Sequence, residues 1–513
     1  MITTIVRKFF RIAAIALFLA FYWVVMLFSA GNHWLFVPVV LITVLSLFWL
    51  NTLRVNHGRT PIAGAIKWGV AIITIAMFAL IQLLDIVGSR QFAKVVETVK
   101  ANKYPLLGSE LLAIYPEVDP TQNGGPIVIA CARTLVEIDI ARSKPEDGEL
   151  PYVDTHKGAD LETLTPLQRE RMKAILNACA PVLKQLETAL AFPHLQARLD
   201  FPRGLALFNL ELPHLGWLMH SARLLAMQSL CHKMEGNNDQ AIVALANLLR
   251  LAELFRDEPL LISQFVRIAI QRTGAQTIAD FISRNDQLTV EQLQRLQSLI
   301  APLCQLNDLH KGITGEIVLA YGMFDDENLL GQSPFVSFSN LRTLQQVNGV
   351  LFLQFFWGGW VKLDLARLLQ KHMDHIELLR RPEAQILQYL ATTTGKHDVT
   401  IFYPISSLLY DVLRPLFLQE FRRLAIARCL WTALAVRIET LRTGQQPASL
   451  TFIPAENLKL TTDPFSGKMV EYQPAENSYV VYSIGGNWQD NQPPAASSSP
   501  KANTKDLGVE IFK

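Results

Sequence analysis

Residues 215–255 read LGWLMHSARLLAMQSLCHKMEGNNDQAIVALANLLRLAELF. An apolar helix is predicted from Leu215 to about Met234, and Gly236-Asn237-Asn238-Asp239-Gln240-Ala241 turns the chain. A second helix follows from Gln240 to about Phe255. The pattern extends outward on both sides. Downstream, Leu260–Arg284 is helical, and Thr289-Val290-Glu291-Gln292 is a capping-box sequence that opens Val290–Gln305. Upstream, Thr165-Pro166-Leu167-Gln168 supplies a cap, a proline at the first helical position and a Gln three residues after the cap, starting a helix to about Ala191. Ile127–Ile140 has β-branched content, but its alanines and apolar spacing favour a buried helix. Residues 160–311 therefore read as stacked antiparallel helices, each with one apolar stripe.

The turn at 236–241, with Gly followed by Asp239 and Ala241, and the small Ser229 in the first helix, make 215–255 resemble one tetratricopeptide-type hairpin. No second copy follows at a period of 34, so a generic helical hairpin stands beside that reading.

The first ninety residues have a different texture. Residues 12–30 (IAAIALFLAFYWVVMLFSA) and 34–50 (WLFVPVVLITVLSLFWL) carry no charge, and 68–87 (WGVAIITIAMFALIQLLDIV) is interrupted only by Gln82 and Asp85. About 20 residues at 1.5 Å rise cross a hydrocarbon core of roughly 30 Å. Three membrane spans are predicted, the alternative being a hairpin of two with the third run at the interface. The first run is too long, and too soon followed by another, for a cleaved signal peptide. Arg7, Lys8 and Arg11 precede the first run, and Arg54, Arg59 and Lys67 lie between the second and third. The turn between the first two runs has neither Lys nor Arg. That bias puts the N-terminus in the cytoplasm and the bulk of the chain on the periplasmic, extracytoplasmic side of a bacterial inner membrane. Arg90, Lys94, Lys100 and Lys103 run against that orientation. So do the five cysteines, which are widely separated, lack a CxxC and read as buried small hydrophobes.

The formal net charge of +2 on 513 residues creates no field that would recruit nucleic acid. The fold class expected is mainly α. A membrane domain (1–88) leads to a helical-hairpin domain (89–311) and then to a second helical region (312–443). A small antiparallel β-module (444–491) and a disordered tail (492–513) complete the chain. Within the second helical region, LFLQFFWGGW at 351–360 is densely aromatic and too short to span. Phe352, Phe355, Phe356, Trp357 and Trp360 are either core or a membrane- or partner-facing patch. A long helix from about Arg414 to Arg442 carries Phe417, Phe421, Leu424, Trp431 and Leu434 on one stripe. Arg422, Arg423, Arg428, Arg437 and Arg442 mostly line other faces, read as solvated, and Gly444 with Pro447 stops the helix.

After that stop come a turn at Asp463-Pro464-Phe465-Ser466-Gly467, a strand at 469–472, a second turn and a strand at 479–484 (YVVYSI). This order, with Tyr472, Tyr482, Ser483, Gly485 and Asn487, resembles the C-terminal half of the major pseudopilins of type II secretion systems, and also endings of large uncharacterised bacterial membrane proteins. In the pseudopilins the loop after the last strand binds calcium. The resemblance implies a Ca²⁺ site at Asp490, Asn487 and Asp463, although this loop has a single acidic residue where calcium takes six to eight oxygens. A turn closing a β-module is the alternative.

The motifs HExxH, GxSxG, GxxxxGK[ST] and GxGxxG and the EF-hand loop are all absent from the sequence. In HMDHIE (372–377), His372 and His375 share a helix face with no third ligand in sequence, and a surface helix is expected. His214, His220 and His232 have no metal-ligand spacing. The functional expectation is a membrane-anchored, non-enzymatic interaction or scaffold protein of the envelope, without a cofactor. Its partners would be the lipid bilayer and a protein or a second copy of the chain, and it would be linked to secretion or envelope assembly. The alternative is a membrane-bound hydrolase acting on envelope material.

Overall fold

The computed structural model describes residues 61–142, 150, 164–199, 201, 211–322, 358–392, 406, 413–476, 478–485 and 507–512. The side chains of its first helix are described from Ala79 onward, Ile81 excepted. The chain divides into two compact units. One comprises Met1–Tyr104, Asp326–Lys371 and His397–Tyr410, and the other Pro105–Asp325, His372–Lys396 and Asp411–Lys513. The chain is mainly helical, with a small antiparallel sheet near its C-terminus.

In the first unit, α1 (Pro61–Ala101) is a continuous helix of 41 residues, about 60 Å long at the standard rise. It contains the third apolar run and continues without a break to Ala101. The runs at 12–30 and 34–50 lie outside the described residues. Among the residues whose side chains are described, no helix is long and apolar enough to cross a membrane.

The second unit begins with α2 (Gly108–Ile114), α3 (Gly125–Arg142) and α4 (Pro166–Leu190). The β-branched stretch 127–140 is helical, as its alanines and spacing suggest. The hairpin is α5 (Pro213–Met234) and α6 (Asn238–Leu251), continued by a 3₁₀ turn Ala252–Phe255. Gly236 adopts φ +74° at the turn, a left-handed conformation that glycine reaches without a Cβ clash. The stack continues with α7 (Leu261–Ile282), α8 (Val290–Ile300) and α9 (His310–Gly322). Both capping boxes form. Thr165 Oγ1 accepts from the Gln168 N–H at 3.2 Å while Gln168 Oε1 accepts from the Thr165 N–H at 2.9 Å. Thr289 and Gln292 reciprocate in the same way.

The remaining helices are α10 (Gly358–Leu379), α11 (Glu383–Thr392) and α12 (Leu413–Thr443). From Glu420 to Ile438 every residue of α12 except Arg422 is buried, because α7 and α8 pack against it along with two of the strands. The single-stripe reading of this helix is therefore corrected. An all-round buried helix is apolar wherever it has no specific polar partner, and here the arginines supply those partners. The helix stops where expected, with Gly444 at φ +73° and its N–H donating to Thr440 O at 2.9 Å.

Strands β1 (Glu471–Pro474), β2 (Ser478–Ser483) and β3 (Leu507–Phe512) form an antiparallel sheet in that order. The tail expected to be disordered thus returns at its far end. Register pairs Tyr479 with Ile511 and Val481 with Val509, and all four side chains are buried. That alternation is the period of two that turns one strand face to the core. The Tyr479 hydroxyl donates to Ala433 O of α12 at 2.8 Å, tying sheet to helix.

Candidate functional site

The helical stack leaves one groove that the described side chains define well, between α4, α5 and α6. Leu176, Leu183, Leu225 and Val243 form its floor, and Lys184, Glu187, Gln228, Gln240 and Asn247 its polar rim. Its volume of about 250 Å³ falls below the range that encloses a cofactor or drug-sized ligand. It has room for a few side chains of a protein partner. Capping by Thr165 fixes the start of α4, and the left-handed Gly236 fixes how α6 returns against α5, so both walls are set by local sequence.

Elsewhere, buried polar groups are spent on holding the stack together. Arg423, wholly buried, donates to Glu420 Oε1 and Oε2 and to the carbonyls of Leu303 and Gln305. Glu420 also accepts from Asn307, whose side chain reaches Gln271 at 2.7 Å. Burial opposes the charge on Glu420, but the Arg423 guanidinium and the Asn307 N–H outweigh it and hold the carboxyl below its usual range. Arg428 donates to Cys304 O, Thr462 O and Glu383, and Arg437 to Asn285 O and Asp286. Of the arginines read as solvated, Arg423, Arg428 and Arg437 are thus ties to the backbone of distant loops, while Arg442 is exposed and Arg422 half-buried. Guanidinium's planar array of donors suits carbonyls at the ends of short helical turns.

His214 and His220 each face a carboxylate. His214 Nε2 lies 3.1 Å from Glu258 Oε1, both enclosed, and His220 Nε2 lies 3.3 Å from Asp139. His372 and His375 are buried, which corrects the surface-helix expectation. His375 stacks on Phe417 at 5.6 Å and meets Tyr389 edge-on. Among the described residues no cluster of three metal-ligating side chains occurs. All five cysteines are buried thiols, and burial pushes those of Cys231 and Cys304 up to about 12. On α9, burial pushes the Glu316 carboxyl up to about 7, against the lowering effect of the Leu261 N–H at the start of α7.

Of the residues proposed for calcium, Asp463 is buried at the base of the β-module. Its Oδ1 accepts from Ser483 Oγ at 2.7 Å and from the Phe465 N–H at 3.0 Å, and its Oδ2 from the Ile484 N–H at 3.3 Å. Asn487 and Asp490 lie outside the described residues. So do Phe352, Phe355, Phe356 and Trp357, while Trp360 is half-buried in the first turn of α10. The roles of Asp463 as a hub and of Glu316 as a carboxylate at the start of a neighbouring helix were not anticipated. Only the Asp-Pro turn signalled the first, and nothing local signalled the second. Compared with known proteins, the chain matches no family model, no curated protein and no solved structure.

Proposed function

We propose that this chain is a membrane-anchored, non-enzymatic interaction or scaffold protein of the bacterial envelope, its N-terminus cytoplasmic and its helical bulk extracytoplasmic. The observation that carries the reading is the α4–α5–α6 groove, whose apolar floor and uncharged or mixed-charge rim match the surface of a protein segment better than a small molecule. The charge-free runs 12–30 and 34–50 support the anchor. A link to secretion or envelope assembly is supported by the order of parts at the C-terminus, from long helix through an Asp-Pro-Phe turn to a Tyr-containing strand.

The test is affinity purification of the full chain from detergent-solubilised membranes, wild type against Ala180→Glu with Asn247→Glu. Both positions line the groove and neither is buried, so circular dichroism should be unchanged. A stoichiometric partner, or self-association, that the double variant loses is the expected result. An identical set of co-purifying proteins from both would refute the assignment of the groove.

A further inference from the structure

The most informative surface outside the groove is the outer face of α1. Ala79, Leu80, Leu83, Ile86 and Val87 are exposed, the four larger ones 45 % or more. Three residues further on, the same face carries Arg90, Gln91, Lys94 and Glu97, also exposed. Leu80, Leu83, Val87, Arg90, Lys94 and Glu97 follow steps of three and four, so they form one stripe. That stripe changes from wholly apolar to charged within about 5 Å along the axis. A helix docked on a protein keeps one chemistry along each face and differs between faces. A bilayer instead changes its chemistry along its normal and leaves every outward position in its core apolar.

The inner face carries the same level mark. Gly88 and Gly359 bring α1 and the start of α10 into backbone contact, and a Cβ on Gly88 would lie 1.9 Å from Gly359 O. Small residues permit that approach where hydrophobic burial alone gives little driving force between helices. One turn away, Lys362 Nζ lies 3.3 Å from Asp85 Oδ1 and 2.8 Å from Ser89 Oγ. The carboxylate that ends the apolar run is therefore neutralised by a lysine whose stem is mostly enclosed, as an ionised group at the edge of a hydrocarbon layer requires.

We infer that the plane at which this chain leaves the bilayer lies between Val87 and Arg90. Acyl chains cover the Ala79–Val87 face, and the start of α10 is docked at headgroup depth beside Arg90 and Lys94, whose charged ends the headgroup layer can solvate. This rests on the membrane-anchored reading proposed above.

The experiment uses the full chain, with native cysteines replaced and circular dichroism unchanged, in vesicles of phosphatidylcholine and phosphatidylglycerol. Spin labels are placed by Leu83→Cys, Val87→Cys, Gln91→Cys and Lys94→Cys. Power saturation should show oxygen access exceeding that of a water-soluble nickel chelate at 83 and 87, and the reverse at 91 and 94. Nickel access equal at all four sites, or exclusion of both reagents at 83 and 87, overturns the placement while leaving the anchor intact, provided the protein co-floats with the vesicles. Failure to co-float overturns the anchor itself and this inference with it.

Discussion

Asp463→Ala removes a carboxylate that three donors share inside the β-module. The Ser483 hydroxyl and the Phe465 N–H are buried there, so the variant leaves them without an acceptor. Each buried orphan costs about 1–3 kcal/mol, less what relaxation and entering water recover. Together they weaken the module by about 2–4 kcal/mol. Because 1.4 kcal/mol is a factor of ten, the protected amides of 465 and 484 should exchange on the order of 30- to 1000-fold faster if they open locally. Hydrogen-exchange mass spectrometry on peptides spanning 463–485 reads this directly. Asp463→Asn keeps an acceptor oxygen for two of the donors and should fall between wild type and alanine. Exchange rates unchanged in Asp463→Ala would refute the hub. Wild-type protection that appears only with Ca²⁺ and is lost on chelation would show that the carboxylate serves a cation.

Three further outcomes follow from the same contacts. The folded-state pKa of Glu316, about 7, lies above its ordinary 4.5. Its stabilisation is therefore fully present below pH 4.5 and lost as pH rises through 7, by about 2 kcal/mol after allowing for partial exposure. Thermal melts of Glu316→Gln should be more stable than wild type at pH 8.5 and no more stable at pH 5; parallel melting curves at both would refute the burial of the ionised form. Arg423→Ala strands the buried Glu420 charge and two carbonyls, costing about 3–5 kcal/mol. The double variant with Glu420→Gln should recover part of that loss in chemical denaturation, and strictly additive losses would deny the coupling. Thr289→Ala removes one half of a capping box and should cost about 1 kcal/mol, measured by the same denaturation curves.

Local signals were legible and distant ones were not. The hairpin turn, both capping boxes and the Gly444 stop depend on residues within four of each other, so their chemistry is readable along the chain. Arg423 and Arg437 of α12 were misread because their partners outside the helix lie 118–152 residues upstream. No periodicity distinguishes a guanidinium facing water from one facing a remote carbonyl. The β3 strand did carry a signal, the alternation of Val509 and Ile511, but it was masked by the Pro-, Ala- and Ser-rich stretch before it. In the groove, the helices were legible and their convergence was not, because which stripes of α4, α5 and α6 face one another is set by packing rather than by any one stripe.

The placement of β3 also orders events in time. The β1–β2 hairpin closes over a short turn, in about 1–10 μs once emerged. Its central strand then waits for a partner about two dozen residues further along the chain. At ribosomal speed that interval is roughly 1–5 s, during which one edge of β2, carrying Tyr479 and Val481, has nothing to pair with. An edge of that composition is a template for pairing with another chain. On the extracytoplasmic reading that edge is exposed on the far side of the membrane, and a holdase there that shields the strand until β3 arrives would protect the module without touching the finished fold.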